Sequence, residues 1–258
     1  MKVVPVACLS DNYAYLVVCE ATGEVAIVDP SEPEPVIKAL TDAGLRPRAI
    51  WNTHHHFDHT GGNEALAKHY SLEWVSGHAS DRGRIAGQTR FLEAGERFML
   101  GELAVLILHI PGHTLGAIAY AVRGGGGHSL FTGDTMFHGG CGRLFEGTPA
   151  QMHASLTSLV AEGASARVYP GHEYTVANLR FARSVEPSHT PVSDALAAAE
   201  KKRAAGEPTV GTTIALEIET NPFVRVASPE LRRTLGIDPS ADDAAALGVV
   251  REAKNAFR

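Results

Sequence analysis

Apolar positions in the first two thirds of the chain fall in short, dense runs separated by turn residues, the pattern of strands rather than of surface helices. "KVVPVACL" and "AYLVVCE" are two such runs, and "ATGE" is a turn leading into a third, "VAIVDP". The period then changes. In "EPEPVIKALTDAGL" the apolar residues Val36, Ile37 and Leu40 follow a proline and end before Gly44, which predicts a helix with a glycine stop. "RAIWN" is a short buried strand, "NEALAKHY" a helix and "LEWVSG" another strand. "RFMLGELAVLILHIPGH" reads as two strands about a Gly-Glu turn, while "AIAYAV" and "SLFTGD" flank the glycine-rich hairpin loop "RGGGGH". "TPAQMHASLTSLVAEG" is an amphipathic helix, and "ARVYPGHEY" is a last short strand ending at His172.

From about residue 174 the texture is different. "ALAAAEKKRAAGEP", "TTIALEIETNPF" and "DDAAALGVVREAKNAF" all favour helix, and no strong strand signal appears. The expected fold class is therefore α/β, with a mixed domain over 1–172 and a smaller, all-helical C-terminal domain over 173–258.

Composition removes some functions. There are 23 basic against 29 acidic residues, a net charge of −6 with no basic run, which disfavours a nucleic-acid footprint but leaves room for a small cationic pocket. Cys8, Cys19 and Cys141 are too few and scattered for a disulfide framework, so a reducing compartment fits. "MKVVPVACLSDN" lacks the layout of a secretion signal, and no apolar run approaches ~20 residues. A cytoplasmic monomer without membrane or nucleic-acid partners is expected.

The candidate chemistry lies in "NTHHHFDHTGG". In extended backbone, residues two apart point the same way, so His54, His56 and Asp58 can converge while His59 turns off at the following bend. Imidazoles and carboxylates at these offsets suit zinc, iron or manganese. The run alone offers too few ligands to close two metal centres. His113 in "IPGHTLG", Asp134 in "FTGDT" and His172 in "YPGHEY" each stand where a predicted strand stops, the usual place for chemistry in open α/β folds.

Taken together, these motifs resemble the metallo-β-lactamase superfamily. Within it, "SDNYAYLV", "GDTMFHGGCGRLFEGT", "GHEYTVANLRFA" and "NPFVR" resemble the glyoxalase II (hydroxyacylglutathione hydrolase) family over essentially the whole chain. The resemblance implies an αββα sandwich with two divalent metal ions at one edge, zinc first and iron or manganese as alternatives. One ion would take His54, His56 and His113, the other Asp58, His59 and His172, with Asp134 bridging. It implies catalytic roles for Asp58 and Asp134, and no ligand role for His55. Asp29, in "IVDP", matches an acidic partner of a ligand, and reads equally well as a strand-ending turn residue.

The implied reaction is hydrolysis of S-(2-hydroxyacyl)glutathione thioesters, such as S-lactoylglutathione, by a metal-bridging hydroxide, the second step of methylglyoxal detoxification. Two divalent cations outweigh Asp58, Asp134 and one hydroxide by about one positive charge, which suits an oxyanion. A thiol of pKa ~8.5 can leave without a strong general acid. The family places a basic pair where Arg251 and Lys254 stand, for the glycine end of glutathione; on spacing alone they also read as a solvated helix end. Arg143, Phe145, His172 and Tyr174 match substrate-contacting positions, although Phe145 stands where some members have Tyr, and Tyr174 reads also as a junction packing residue. The competing enzyme on this scaffold is glutathione persulfide dioxygenase, which generally lacks the long basic-paired tail. A metal-stabilised scaffold is the non-catalytic reading.

Overall fold

The computed structural model describes residues 1–257. The chain forms two compact units: Met1–His109 with Gly116–Gly133, and Ile110–Leu115 with the described residues from Asp134 onward.

The first unit is built from β1 (Lys2–Cys8), β2 (Asn12–Val18), β3 (Val25–Val28), α1 (Pro33–Asp42), β4 (Pro47–Trp51), α2 (Phe57–Thr60), α3 (Asn63–Tyr70), β5 (Trp74–His78), β6 (Arg90–Leu92), β7 (Arg97–Leu100), β8 (Leu103–His109), β9 (Ile118–Gly124) and β10 (Gly127–Gly133). One sheet runs in the order β1-β2-β3-β4-β5-β6, antiparallel as far as β3 and parallel from β3 to β6. A second runs β10-β9-β8-β7, antiparallel throughout. Every residue of β2 and β3 is buried, as expected of strands covered on both faces. On one face Leu16, Ile27 and Ile50 pack with Val36 and Leu40 of α1 and Leu66 of α3. On the other, aromatic rings join the sheets: Trp51 stacks on Tyr120 at 5.2 Å and meets the edge of Phe98 at 5.5 Å, and Tyr15 lies 5.6 Å from Phe131. Such pairs add to the area they bury. The "RGGGGH" loop closes as expected: Gly124 pairs with Gly127, and Gly125 and Gly126 both take positive φ, which the tight hairpin turn demands.

The second unit holds β11 (Met136–Phe137), β12 (Gly140–Cys141), α4 (Pro149–Val160), β13 (Arg167–Pro170), α5 (Thr175–Val185), α6 (Thr190–Ala204), β14 (Thr212–Thr213), α7 (Ile214–Thr220), α8 (Pro229–Thr234) and α9 (Asp243–Ala256). Side chains set the helix starts. Thr148 and Gln151 form a reciprocal capping box on α4, and Thr213, Ser228 and Asp242 cap α7, α8 and α9. Leu179, Leu196 and Ala199 make a core between α5 and α6.

The C-terminal region is helical, with one departure from the sequence reading: Thr212 and Thr213 are extended and pair antiparallel with Val168 and Arg167. Two adjacent β-branched residues favour this, and the Thr213 hydroxyl then accepts the Leu216 N–H, so α7 starts only at Ile214. Among the described residues no helix is long and apolar enough to cross a membrane.

Candidate metal centre and substrate-binding residues

In the first unit, the chain leaves β4 at Trp51 and is held at once. Asn52 Nδ2 donates to the His59 carbonyl at 2.9 Å, and Asn63 Nδ2 donates to Asn52 Oδ1 at 2.8 Å. Asp29, one residue past β3, is buried with φ +47°, a left-handed conformation uncommon outside glycine. Its carboxylate accepts the Thr53 N–H (2.8 Å), the Thr53 hydroxyl (2.6 Å) and His59 Nδ1–H (3.0 Å). The Thr53 oxygen in turn lies 3.0 Å from His54 Nδ1. With Nδ1 of both His54 and His59 donating, each imidazole directs the Nε2 lone pair outward, the tautomer a metal ligand needs. Of the two sequence readings of Asp29, the acidic partner is the one this geometry supports.

His54 Nε2 and His56 Nδ1 lie 3.0 Å apart. Asp58 does not continue that line. The backbone turns helical at Phe57, so the extended geometry expected through Asp58 ends at His56, and Asp58 swings toward His59, with Oδ2 3.7 Å from Nε2. Asn12 Nδ2 holds the same oxygen at 3.0 Å. His55 points elsewhere: Nδ1 lies 3.3 Å from Asp81 and Nε2 2.6 Å from Arg84.

In the second unit, His113, Asp134 and His172 come together. Asp134 Oδ2 is 3.5 Å from His113 Nε2 and 3.3 Å from His172 Nε2, and all three residues are buried. His113 Nδ1 donates to the Arg143 carbonyl at 2.9 Å, again turning Nε2 outward. The approach is close enough to require glycine at 142, where a Cβ would stand 1.9 Å from the Asp134 carbonyl oxygen. Each of the three lies within four residues of a strand end: β8, β10 and β13.

The substrate candidates lie in the same unit, and Tyr174, Phe145 and the Arg143 carbonyl border this cluster. The Tyr174 ring stacks on His172 at 4.7 Å, and Phe137 meets both rings edge-on. Phe145 is 63% exposed, its ring 5.2 Å from His113. Arg251 is not a solvated helix end: it is only 6% exposed, its Nη1 donates to the Cys141 carbonyl at 2.7 Å, and its guanidinium faces the Phe223 ring. Lys254 Nζ donates to the Ala177 carbonyl at 3.1 Å. Burial, and then the positive charges of Arg251 and Arg143, push the Lys254 ammonium down to about 8. Arg251 and Arg143 thus bear on the Lys254 ammonium as like charges. Burial pushes the Cys141 thiol up to about 11, against a smaller opposing pull from Arg251, so it stays protonated and apart from the metal chemistry.

Sequence reasoning gave no role to Asn12, Thr53 or Glu217. Asn12 sits inside a quoted motif, yet nothing in its neighbours announces a bond to a residue 46 positions away.

The histidine and aspartate clusters, including one in which Asp29, His54 and His59 offer atoms within 4.8 Å, are of the kind that holds a binuclear metal site. With two joined sheets and these clusters, the class is the metallo-β-lactamase superfamily, whose family model matches residues 10–172. A crystallised B3 metallo-β-lactamase, BLEG-1, superposes with a TM-score of 0.66 at 23% identity, over 86% of this chain and 99% of that one, a likeness of fold alone. The model "Hydroxyacylglutathione hydrolase C-terminus" matches residues 173–257. The cytoplasmic hydroxyacylglutathione hydrolase of Arabidopsis thaliana is 42% identical over 99% of this chain and 97% of its own. The hydroxyacylglutathione hydrolase of Thermosynechococcus vestitus is 46% identical over 88% of this chain and 90% of its own. The chain belongs to the hydroxyacylglutathione hydrolase, or glyoxalase II, family.

Proposed function

We propose that the protein hydrolyses S-(2-hydroxyacyl)glutathione thioesters, S-lactoylglutathione among them, to glutathione and a 2-hydroxy acid, the second step of methylglyoxal detoxification. The observation that carries this reading is the presence in one unit of a histidine–aspartate cluster and of three cations, Arg143 on the loop whose carbonyl holds His113 and Arg251 and Lys254 on α9.

In this reading His54, His56 and His113 would hold one divalent ion and Asp58, His59 and His172 a second, with Asp134 available to both. The donor set fits: nitrogen donors predominate, and the Nδ1 atoms of His54, His59 and His113 are each engaged by an oxygen. Zinc is the first choice for such donors, ahead of iron and manganese. When bound, such ions polarise a carbonyl and lower the pKa of water to ~7.

The protein's own groups do the rest. Asn12 Nδ2 orients the Asp58 carboxylate, and Asp29 keeps the His59 imidazole in one tautomer. Tyr174, flat on His172, walls one side of the cluster, and Phe145 stands over His113. Arg143, Arg251 and Lys254 take the carboxylate at the glycine end of glutathione, which fixes the thioester relative to the donors. The leaving thiolate, of pKa ~8.5 as a free thiol, needs no dedicated acid. Functionally the chain divides at residue 172, with a catalytic part over 1–172 and a substrate-binding part over 173–258. The working location is the cytoplasm and the working state a monomer, without nucleic-acid or membrane partners.

The test sets metal-loaded protein against two substrates. Loss of thioester absorbance with S-lactoylglutathione, and no oxygen uptake with glutathione persulfide, is expected. An untouched thioester would end this reading, and oxygen uptake would replace it with the persulfide dioxygenase.

A further inference from the structure

Glu217 lies on α7, fully buried, in a stretch read from the sequence only as helix-forming. Its four lone-pair directions meet four donors. Oε1 accepts from His138 Nδ1 (2.8 Å) and the Thr212 hydroxyl (3.2 Å), and Oε2 from the Gly139 N–H (2.9 Å) and Asn221 Nδ2 (3.0 Å). His138 and Gly139 are the two turn residues between β11 and β12, closed by the pair Phe137–Gly140, with Gly139 at φ +68°. The carboxylate thus grips both residues of one tight turn. Asn221 adds bonds to the Phe137 and Gly140 carbonyls, and Asn178 of α5 bonds the His138 carbonyl.

That turn governs what surrounds it. Just before it, Phe137 meets the His172 and Tyr174 rings. Just after it, Cys141 offers its carbonyl to Arg251, and the Arg143 carbonyl holds His113 Nδ1. A buried carboxylate is costly, and an apolar side chain of similar volume would serve packing alone at lower cost. Holding a hairpin whose two ends carry the aromatic wall and the cation cluster gives the charge a purpose.

We infer that Glu217 is a positioning residue: through the 138–139 turn it sets Arg251, Arg143 and Tyr174 for the glutathione part of the substrate. The inference rests on the function proposed above and adds to it the element that aligns the binding end. Glu217→Gln keeps the shape but turns an amide NH2 toward two of the donors.

Metal-loaded wild type and Glu217→Gln are compared by steady-state hydrolysis of S-lactoylglutathione and by calorimetric binding of glutathione. KM and the glutathione Kd should both rise at least about tenfold, the low end for disturbed buried hydrogen bonds to a charged group, with kcat within about twofold and the circular dichroism unchanged. His138→Asn retains a donor where Nδ1 stood and should stay within about twofold of wild type, whereas His138→Leu should match Glu217→Gln. This pair decides the matter if Glu217→Gln does not fold. Unchanged KM in Glu217→Gln, a fall in kcat alone, or equal behaviour of the two His138 variants would overturn the inference. Wild-type protein inert toward the thioester would instead remove the function itself, and the same assay shows that before any variant is compared.

Discussion

Replacing Asp29 by asparagine alters one side-chain atom and removes one charge at the point from which the 54–59 run is suspended. Asparagine tolerates φ +47° better than most residues, so backbone strain stays out of the comparison. The carboxylate accepts three hydrogen bonds, from the Thr53 N–H, the Thr53 hydroxyl and His59 Nδ1. An amide has one acceptor oxygen. With that oxygen on the Thr53 N–H, its NH2 confronts the Thr53 hydroxyl and His59 Nδ1–H. The hydroxyl can rotate. The imidazole can relieve the clash only by moving its proton to Nε2, which takes away the lone pair meant for a metal. A hydrogen bond to a charged group contributes about 1.5–3 kcal/mol, equivalent to roughly 10–150-fold in affinity. Substitution of ligand-orienting partners elsewhere costs about 10–100-fold, the same range. Competition of the loaded protein against a graded series of chelators reads this directly. The variant should release one of two metal equivalents about 10–100-fold more readily, with unchanged circular dichroism. Asp29→Ala should do worse, because alanine also carries a left-handed strain of about 1–2 kcal/mol. Wild-type affinity for both ions in Asp29→Asn would mean that Asp29 does not set the His59 tautomer.

Two further outcomes follow from the second unit. Lys254 carries a pKa pushed down to about 8; with its protonated form taking the substrate carboxylate, as proposed above, KM should be flat below that pH and climb above it. In Lys254→Met, KM should be high throughout; a KM that still climbs near pH 8 in the variant would assign the titration to another group. Glu186 is buried with Arg225 forked onto it at 2.9 and 3.0 Å, so Glu186→Ala should cost about 3–5 kcal/mol in urea unfolding, and a loss under about 1 kcal/mol would contradict the pairing.

The legible parts of this fold are those whose causes are local. Alternation and dense apolar runs marked β1 to β5 and β7 to β10, glycines marked the 124–127 hairpin, and the amphipathic run from Thr148 marked α4. His113, Asp134 and His172 stood out because each follows a strand end, a position visible in one dimension. The turn of Asp58 away from His56 was hidden, since "HHHFDH" has no breaker to show where extended backbone becomes helix. Helix α5 went unread for a related reason: its buried face includes Thr175 and Asn178, polar residues that blur the apolar period. Strand β14 is two residues long and depends on a partner more than forty positions away. The His138–Glu217 bond spans 79 positions, beyond the reach of any spacing rule.

In the proposed function two divalent ions on histidine and aspartate donors drive thioester cleavage. Its most direct test is the S-lactoylglutathione turnover of one preparation, stripped with chelator and titrated back with zinc. The stripped protein should show no activity, which should return and saturate at two equivalents of zinc per chain. Full activity after stripping, or none after reloading, would contradict it.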